Sequence, residues 1–438
     1  MGFSQKVAQY FGFDEQQTNY KQESVAGLTT FFAMAYILFV NPSVLANAGM
    51  DQKAVFVATA LAAALGTLLM GVLAKYPIAV APGMGINAFF AFSVVVGRGI
   101  PWQTALSGVF IAGLLFVLIT VFRIREKIIN AIPLNLKYAI SGGIGLFIAF
   151  IGLQNAKMVV PDESTLVTFG DITAPGVLLT SFGLVVTIVL MTLNIKAGIF
   201  YGMVATAVVG MITGVVPVPG DIVSAVPSME PTFLAAFEGF SDIQITELVT
   251  VIITFLLVAF FDTAGTLMAV ANIGGFLKGN RLPRAGRAML ADSISMVAGS
   301  LFGTSPTSAY IESSSGVAAG GRTGFASVIT AVLLLLALFF SPLLSVVTNE
   351  VTAPALIVVG ALMASSIGKI EWDHFEIAIP AFLILVAIPL TYSITTGLAL
   401  GFIAYPITMI VKGRYKELHP IMYGLFIIFI ICLPYLSV

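Results

Sequence analysis

Apolar runs of about twenty residues, separated by short polar connections, recur from residue 26 to the end of the chain. A hydrocarbon core of about 30 Å needs ~20 helical residues at a rise of ~1.5 Å each. On that measure, spans are predicted at 26–45, 53–74, 86–97, 103–122, 136–155, 175–193 and 197–216. A second series is predicted at 247–274, 286–302, 309–320, 324–347 and 353–368. Residues 375–411, interrupted by Pro380, Pro389, Gly397 and Gly401, read as two short or broken crossings. The stretch 420–437 reads as a further span or an interfacial hairpin. The first residues, MGFSQKVAQYFGFDEQQTNYKQE, are too polar for a cleaved signal peptide. They predict a partly amphipathic segment lying at the membrane surface through Phe3, Tyr10, Phe11 and Phe13.

The polar connections carry an orientation. With the N-terminus inside, the cytoplasmic cations are Lys6, Lys21, Lys75, Arg123, Arg125, Lys127, Lys137, Lys196, Lys278, Arg281, Arg284, Arg287, Arg322, Lys369, Lys412, Arg414 and Lys416. Only Lys53, Arg98 and Lys157 are then external, as the positive-inside rule requires. The connection 217–246 holds Asp221, Glu230, Glu238 and Asp242 with no Lys or Arg, as an external loop should. The N-terminus is expected in the cytoplasm.

The two series resemble each other. TFFAMAY at Thr30–Tyr36 and TFLLVAF at Thr254–Phe260 match at Thr, Phe and Ala with an offset of 224. The same offset carries Pro82 of APGMGINAF onto Pro306 of SPTSAYI. Seven spans precede the external loop, so the second half starts from the opposite side and the repeat is inverted. Each half has a short segment broken by Gly and Pro, third in order, and such a pair points to a transporter binding site. Unpaired backbone is not tolerated against lipid, so 79–86 and 303–308 must be buried in protein or line a cavity. Each is expected to be a short extended piece followed by a half-helix, starting near Asn87 and near Ala309. Half-helix N-termini facing each other favour an anion or an electron-rich acceptor.

Gly303–Gly324 is the most polar stretch, with seven Ser or Thr residues by Ser315 and one acid, Glu312. Glu312 is expected in the first turn of the second half-helix, facing substrate or closing a capping box with Ser308 or Ala309. Asn87 has the same two readings, ligand or cap. Ser313, Ser314 and Ser315 read mainly as packing and backbone-bonding residues. Asp262 lies deep in 247–274, and an acid at a helix centre costs about 2.5–3.5 kcal/mol or more, which marks a functional position. Its bland reading is a neutral acid bonded to Thr263 or Thr266. Asp292, close to Arg287, is a weaker candidate. Two acids withdrawn from water suit a small polar planar solute, and they can also hold a proton.

Composition narrows the classes. Charged residues make up 9% of the 438 and hydrophobic ones 58%, with mean hydropathy +1.04. Soluble domains carry about 25% charged residues, so the chain is a polytopic membrane protein. The net charge of −1 and scattered basic residues give no nucleic-acid surface. Cys432 is alone, and His374 and His419 are far apart, so no disulfide, metal site or cofactor is expected. GxGxxG and GxxxxGK[ST] are absent, which argues against ATP-driven transport. No nucleophile–base set points to an enzyme, and paired titratable acids favour coupled transport over a passive channel.

The motifs APGMGINAFFAFSVV, SGGIGLFIAFIGLQNA, FFDTAGTL and TSAYIESSSGVAAGGRTG resemble the nucleobase–ascorbate transporter family in its AzgA-like purine permease branch. Nearly the whole chain is similar, most of all to bacterial hypoxanthine/guanine permeases, including HPIMYGLF near the C-terminal end. The resemblance implies an all-α polytopic fold of about fourteen membrane segments in two inverted seven-segment repeats, with a short strand and half-helix in the third and tenth. Residues 1–24 would be a cytoplasmic segment, 25–216 and 247–438 the repeats, and 217–246 the external connection. A core domain would take approximately 25–125 and 247–347, and a gate domain approximately 130–216 and 350–438.

The implied function is proton symport of hypoxanthine or guanine across the bacterial cell membrane, by elevator movement of core against gate. Many members dimerise through the gate, so a homodimer is an allowed partner. Glu312 and Asp262 match the family's two substrate-site acids, which would also carry the proton, and Asn87 matches its third-segment asparagine. Ala88, Phe89, Thr266, Ile311 and Ser313 complete the implied substrate-binding set. The chain departs from the branch at Ala259, where members usually carry an acid or amide one helical turn from the Asp. An adenine-preferring permease of the same branch, and an anion transporter of the same architecture, are the alternatives.

Overall fold

The structure, a computed structural model, describes residues 2–122, 131–240, 245–277 and 282–432. Arg123, Arg125, Lys127, Asp242, Lys278 and Arg281 of the expected loops lie outside the described residues, as do 433–437 of the last apolar stretch. The amphipathic segment forms α1 (Phe3–Phe11), ended by Gly12 at φ 73°. Its aromatic side packs on protein: Phe11, Phe13 and Tyr20 stand edge-on to the Phe325 ring at 5.7, 5.7 and 5.2 Å. Phe13 is buried by that contact and Phe11 is left half-buried.

The first repeat comprises α2 (Tyr20–Met34), α3 (Ile37–Ala46), α4 (Gln52–Leu69), β1 (Val80–Pro82), α5 (Met84–Ala88), α6 (Trp102–Val121) and α7 (Leu134–Asn155). After α7 come a hairpin, β2 (Val159–Asp162) and β3 (Leu166–Phe169), then α8 (Pro175–Thr192) and α9 (Gly198–Ile212). The second repeat holds α10 (Ile245–Gly274), α11 (Ala285–Phe302), β4 (Thr307–Ala309), α12 (Ser313–Ala318) and α13 (Gly324–Leu336). It continues with α14 (Asn349–Ala364), α15 (Phe375–Thr391) and α16 (Ile394–Val411), after which α17 (Pro420–Cys432) follows. The pair α2–α3 makes one crossing broken at Ala35 and Tyr36, and α5 runs on in a wider helical turn to Val96. Eight helices among the described residues are long and apolar enough to cross a membrane, with shorter apolar ones such as Met84–Val96 and Phe375–Thr391. Among the described residues, seven segments precede the long connection and seven follow it before α17, so the second repeat is inverted relative to the first.

Two groups of helices pack internally. α2, α4, α6, α10, α11 and α13 contact one another, and α7, α8, α9, α14, α15 and α16 form the other set. Each group therefore draws helices from both repeats. The connection after α9 folds over the first group: Leu234 N donates to Leu301 O at 2.8 Å and Ser107 Oγ to Ala236 O at 2.6 Å.

The structure corrects several expected boundaries. The half-helices start at Met84 and Ser313, because Gly83 is extended (ψ 131°) and Thr307–Ala309 is committed to a strand. Residues 375–411 form two unbroken helices joined at Tyr392, with Pro380, Pro389 and Pro406 accommodated inside them. The β2–β3 hairpin adds strand to a fold expected to be helical outside the two crossing points. Asp162 shapes its turn by accepting from Ser164 N, Thr165 N and Thr165 Oγ1, and those bonds hold its carboxyl below the usual range.

Candidate functional site

Two short strands solve the backbone problem that the Pro and Gly residues create. β1 and β4 pair antiparallel, with Val80 opposite Ala309, Ala81 opposite Ser308 and Pro82 opposite Thr307. Gly83 N donates to Pro306 O at 3.1 Å and Tyr310 N to Ala79 O at 2.9 Å, extending the pairing at both ends. Groups at membrane depth that lack a helical ladder are thus satisfied by the other repeat. Side chains finish the work. Thr67 Oγ1 both donates to Val80 O at 3.0 Å and accepts from Val80 N at 2.9 Å, and Ser313 Oγ accepts from Ala79 N at 2.9 Å. All six strand residues are buried.

Both acids stand beside this pair. Asp262 Oδ2 accepts from Ser308 Oγ at 2.6 Å, so the serine expected as a capping partner holds the other acid instead. Thr263, expected beside Asp262, turns its hydroxyl to Asp292 Oδ2 at 2.9 Å. Gly83 closes over the Ser308–Asp262 bond: a Cβ there would lie 2.6 Å from Ser308 Oγ and 2.9 Å from Asp262 Oδ2. Glu312 occupies the N-cap position of α12, one residue before the expected first turn, and its side chain makes no cap bond. Its Oε1 accepts from the Tyr36 hydroxyl at 2.5 Å. An ionised carboxylate offers about four lone-pair sites, so both acids keep accepting capacity.

The remaining predicted residues divide by surroundings. Asn87 is buried within α5, not at its start, and its Nδ2 donates to Asn41 Oδ1 at 3.1 Å. Its Oδ1 has no partner. Ala88 is buried, and Phe89 packs edge-on to Phe255 at 5.1 Å in the apolar core. Thr266 is half-buried, while Ile311 is 45% exposed next to Glu312.

Sequence reasoning missed Tyr36, Asn41 and Glu23. Tyr36 ends the repeated heptapeptide, and a tyrosine in an apolar span needs a partner for its hydroxyl. Asn41 is an amide in the same span, and its Nδ2 bonds Thr59 at 2.7 Å and Thr304 at 2.9 Å. Glu23, fully buried, accepts from Thr18 Oγ1 at 2.9 Å, Arg322 N at 2.9 Å and Thr323 N at 3.2 Å. Arg322, expected as a loop cation, turns Nη1 onto the carbonyls of Val317 and Gly321 at 2.9 and 2.8 Å. Together these hold the far end of α12. No cluster of three His, Cys, Asp or Glu side chains suited to a metal occurs among the described residues.

Known proteins place this arrangement. The Xan_ur_permease family, described as a permease family, matches residues 21–400. The chain is 60% identical over 437 residues to the guanine/hypoxanthine permease PbuG of Bacillus subtilis, covering 98% of this chain and 99% of that protein. It is 49% identical over 426 residues to the guanine/hypoxanthine permease PbuO of the same organism, covering 96% and 99%. In fold it is similar to the transmembrane domain of a cyanobacterium bicarbonate transporter, BicA. The TM-score is 0.64 at 15% identity, covering 88% of this chain and 97% of that one. The chain belongs to the Xan_ur_permease permease family, and it is a multi-pass membrane transporter rather than an enzyme.

Proposed function

We propose that this permease takes up purine nucleobases, with 6-oxopurines preferred, and that Glu312 and Asp262 form the polar part of the substrate site. The observation that carries the reading is the Glu312 carboxylate, held by Tyr36 at the mouth of a half-helix beside the paired strands. Guanine presents N1–H and an exocyclic amine side by side, and one carboxylate accepts both. Hypoxanthine offers N1–H alone. Adenine presents an acceptor at the same place and requires a protonated acid. The two relatives at 60% and 49% identity carry guanine and hypoxanthine in their names, which supports the same class here.

Transport is coupled to protons through Asp262 and Glu312. The helix group containing α4, α10 and α11 acts as the core, moving as an elevator against a gate that contains α7, α14 and α15. The protein works in the bacterial cell membrane with its N-terminus in the cytoplasm, as a dimer through the gate. An anion substrate is disfavoured by the two carboxylates, and the fold shared with a bicarbonate transporter does not supply one. Uptake of labelled guanine and hypoxanthine by Glu312→Gln is the test. Loss of affinity for both is expected, and near-normal affinity for both overturns the assignment.

A further inference from the structure

We propose that Asn41 is a positioning residue that makes Asn87 an acceptor-only contact for the transported base. The inference rests on the purine-uptake reading above. Its basis is a chain of donors and acceptors that closes everywhere except at one atom. Thr59 donates its hydroxyl proton to Val55 O at 2.6 Å, so towards Asn41, at 2.7 Å, it accepts. The Asn41 atom facing Thr59 is therefore the amide nitrogen, which also reaches Thr304 Oγ1 at 2.9 Å. Asn41 Oδ1 is then the acceptor for Ser305 Oγ at 3.1 Å and for Asn87 at 3.1 Å. Asn87 must meet it with Nδ2, which leaves Asn87 Oδ1 as a buried acceptor without a partner.

An amide oxygen withdrawn from water and left unpaired costs free energy, and native structures rarely leave one so without reason. A substrate N–H removes that cost, and an acceptor atom in its place adds repulsion. Asn87 belongs to the half-helix of the first repeat, whereas Asp262 and Glu312 belong to the second. A planar base held between the repeats shows one edge to the acids and the other to Asn87. With N1–H on Glu312, the group assigned to Asn87 is the imidazole N–H. Asn41 does not touch the base; it selects which end of Asn87 does.

The test compares hypoxanthine with its oxazolo isostere, in which a ring oxygen replaces the imidazole N–H without added bulk. Both compete for labelled hypoxanthine uptake, and the ratio of their inhibition constants is independent of the amount of folded protein. The wild type should bind the isostere at least about tenfold more weakly, as a lost buried hydrogen bond predicts. Asn41→Leu frees the Asn87 amide to turn its N–H outward, and the ratio should fall to about threefold or less. Asn41→Asp keeps an acceptor for Asn87 Nδ2 and should keep the wild-type ratio, which a merely structural role would not distinguish from Asn41→Leu. If Asn41→Leu does not fold, Thr59→Val/Thr304→Val, which removes both acceptors that fix the Asn41 amide, should lower the ratio instead. Equal binding of the two compounds by the wild type, or an unchanged ratio in Asn41→Leu or in that substitute, overturns this inference alone. Absence of hypoxanthine uptake by the wild type overturns the purine reading and this inference with it.

Discussion

The hydroxyl of Tyr36 donates a 2.5 Å hydrogen bond to Oε1 of Glu312, 276 positions further along the chain. It ties the break between α2 and α3, in the first repeat, to the start of the half-helix in the second. A bond to an ionised partner contributes about 1.5–3 kcal/mol, so Tyr36→Phe should weaken guanine binding by about tenfold to a hundredfold. Guanine, which uses both carboxylate oxygens in the proposed site, should suffer more than hypoxanthine. Equilibrium binding to the purified protein measures this, and unchanged affinity for both purines would show that Tyr36 does not orient the acid.

Gly83 sits where the second repeat's Ser308–Asp262 bond meets the first repeat's backbone. Its φ of −71° and ψ of 131° suit any residue, so only space makes glycine necessary here. Gly83→Ala puts a methyl 2.6 Å from Ser308 Oγ, and the 2.6 Å bond to Asp262 leaves that hydroxyl no room to retreat. Uptake should fall by at least about tenfold, as expected for a site displaced by tenths of an ångström to an ångström, while the protein still inserts. Removing the obstructing oxygen in Gly83→Ala/Ser308→Ala should recover part of the loss. No recovery in the double variant would place the damage elsewhere.

The spans, the repeat and the two interrupted segments were legible because hydropathy, prolines and glycines mark them locally. Where the half-helices begin was not. Met84 and Ser313 start where strand pairing stops, and that pairing joins Val80 to Ala309 across more than half the chain. Local rules suggested Ser308 as a capping partner for Glu312, but Asp262, distant in sequence, competes for its hydroxyl and wins. Tyr36 and Asn41 escaped notice because each is a polar residue flanked by apolar neighbours whose side-chain partners come from other segments of the chain. The hairpin at Val159–Asp162 and Leu166–Phe169 did carry a local signal, a β-branched run on each side of a polar turn, but its strands are only four residues long.

Glu23 is fully buried, and two of its three partners are backbone N–H groups at the start of α13. Glu23→Ala leaves those donors without an acceptor and should cost about 2–4 kcal/mol. Glu23→Gln keeps one oxygen but brings an amide N–H group against the same donors, and should fall between the two. Thermal unfolding in detergent should show a drop of at least about 3 °C for Glu23→Ala. An unchanged midpoint would mean that the 319–323 turn is held without Glu23, by the Arg322 contacts to Val317 and Gly321, the Gln22 Nε2 bond to Gly320 O and its own backbone bonds.

Asp262 differs from Glu312 in what a neutral replacement leaves behind. In Asp262→Asn the amide oxygen can still accept from Ser308, so the 2.6 Å contact and the strand pair next to it are kept and only ionisation is lost. Ala259, buried one helical turn away, supplies no second titratable group at that position. Proteoliposomes separate the two consequences. Purine counterflow, which needs the site and the conformational change but no net proton movement, should persist within about threefold of wild type if the hydrogen bond is kept. Accumulation driven by an inward proton gradient should disappear. A loss of both would show that purine binding itself needs the Asp262 charge and not only its hydrogen bond to Ser308. Gradient-driven accumulation equal to wild type would remove its coupling role.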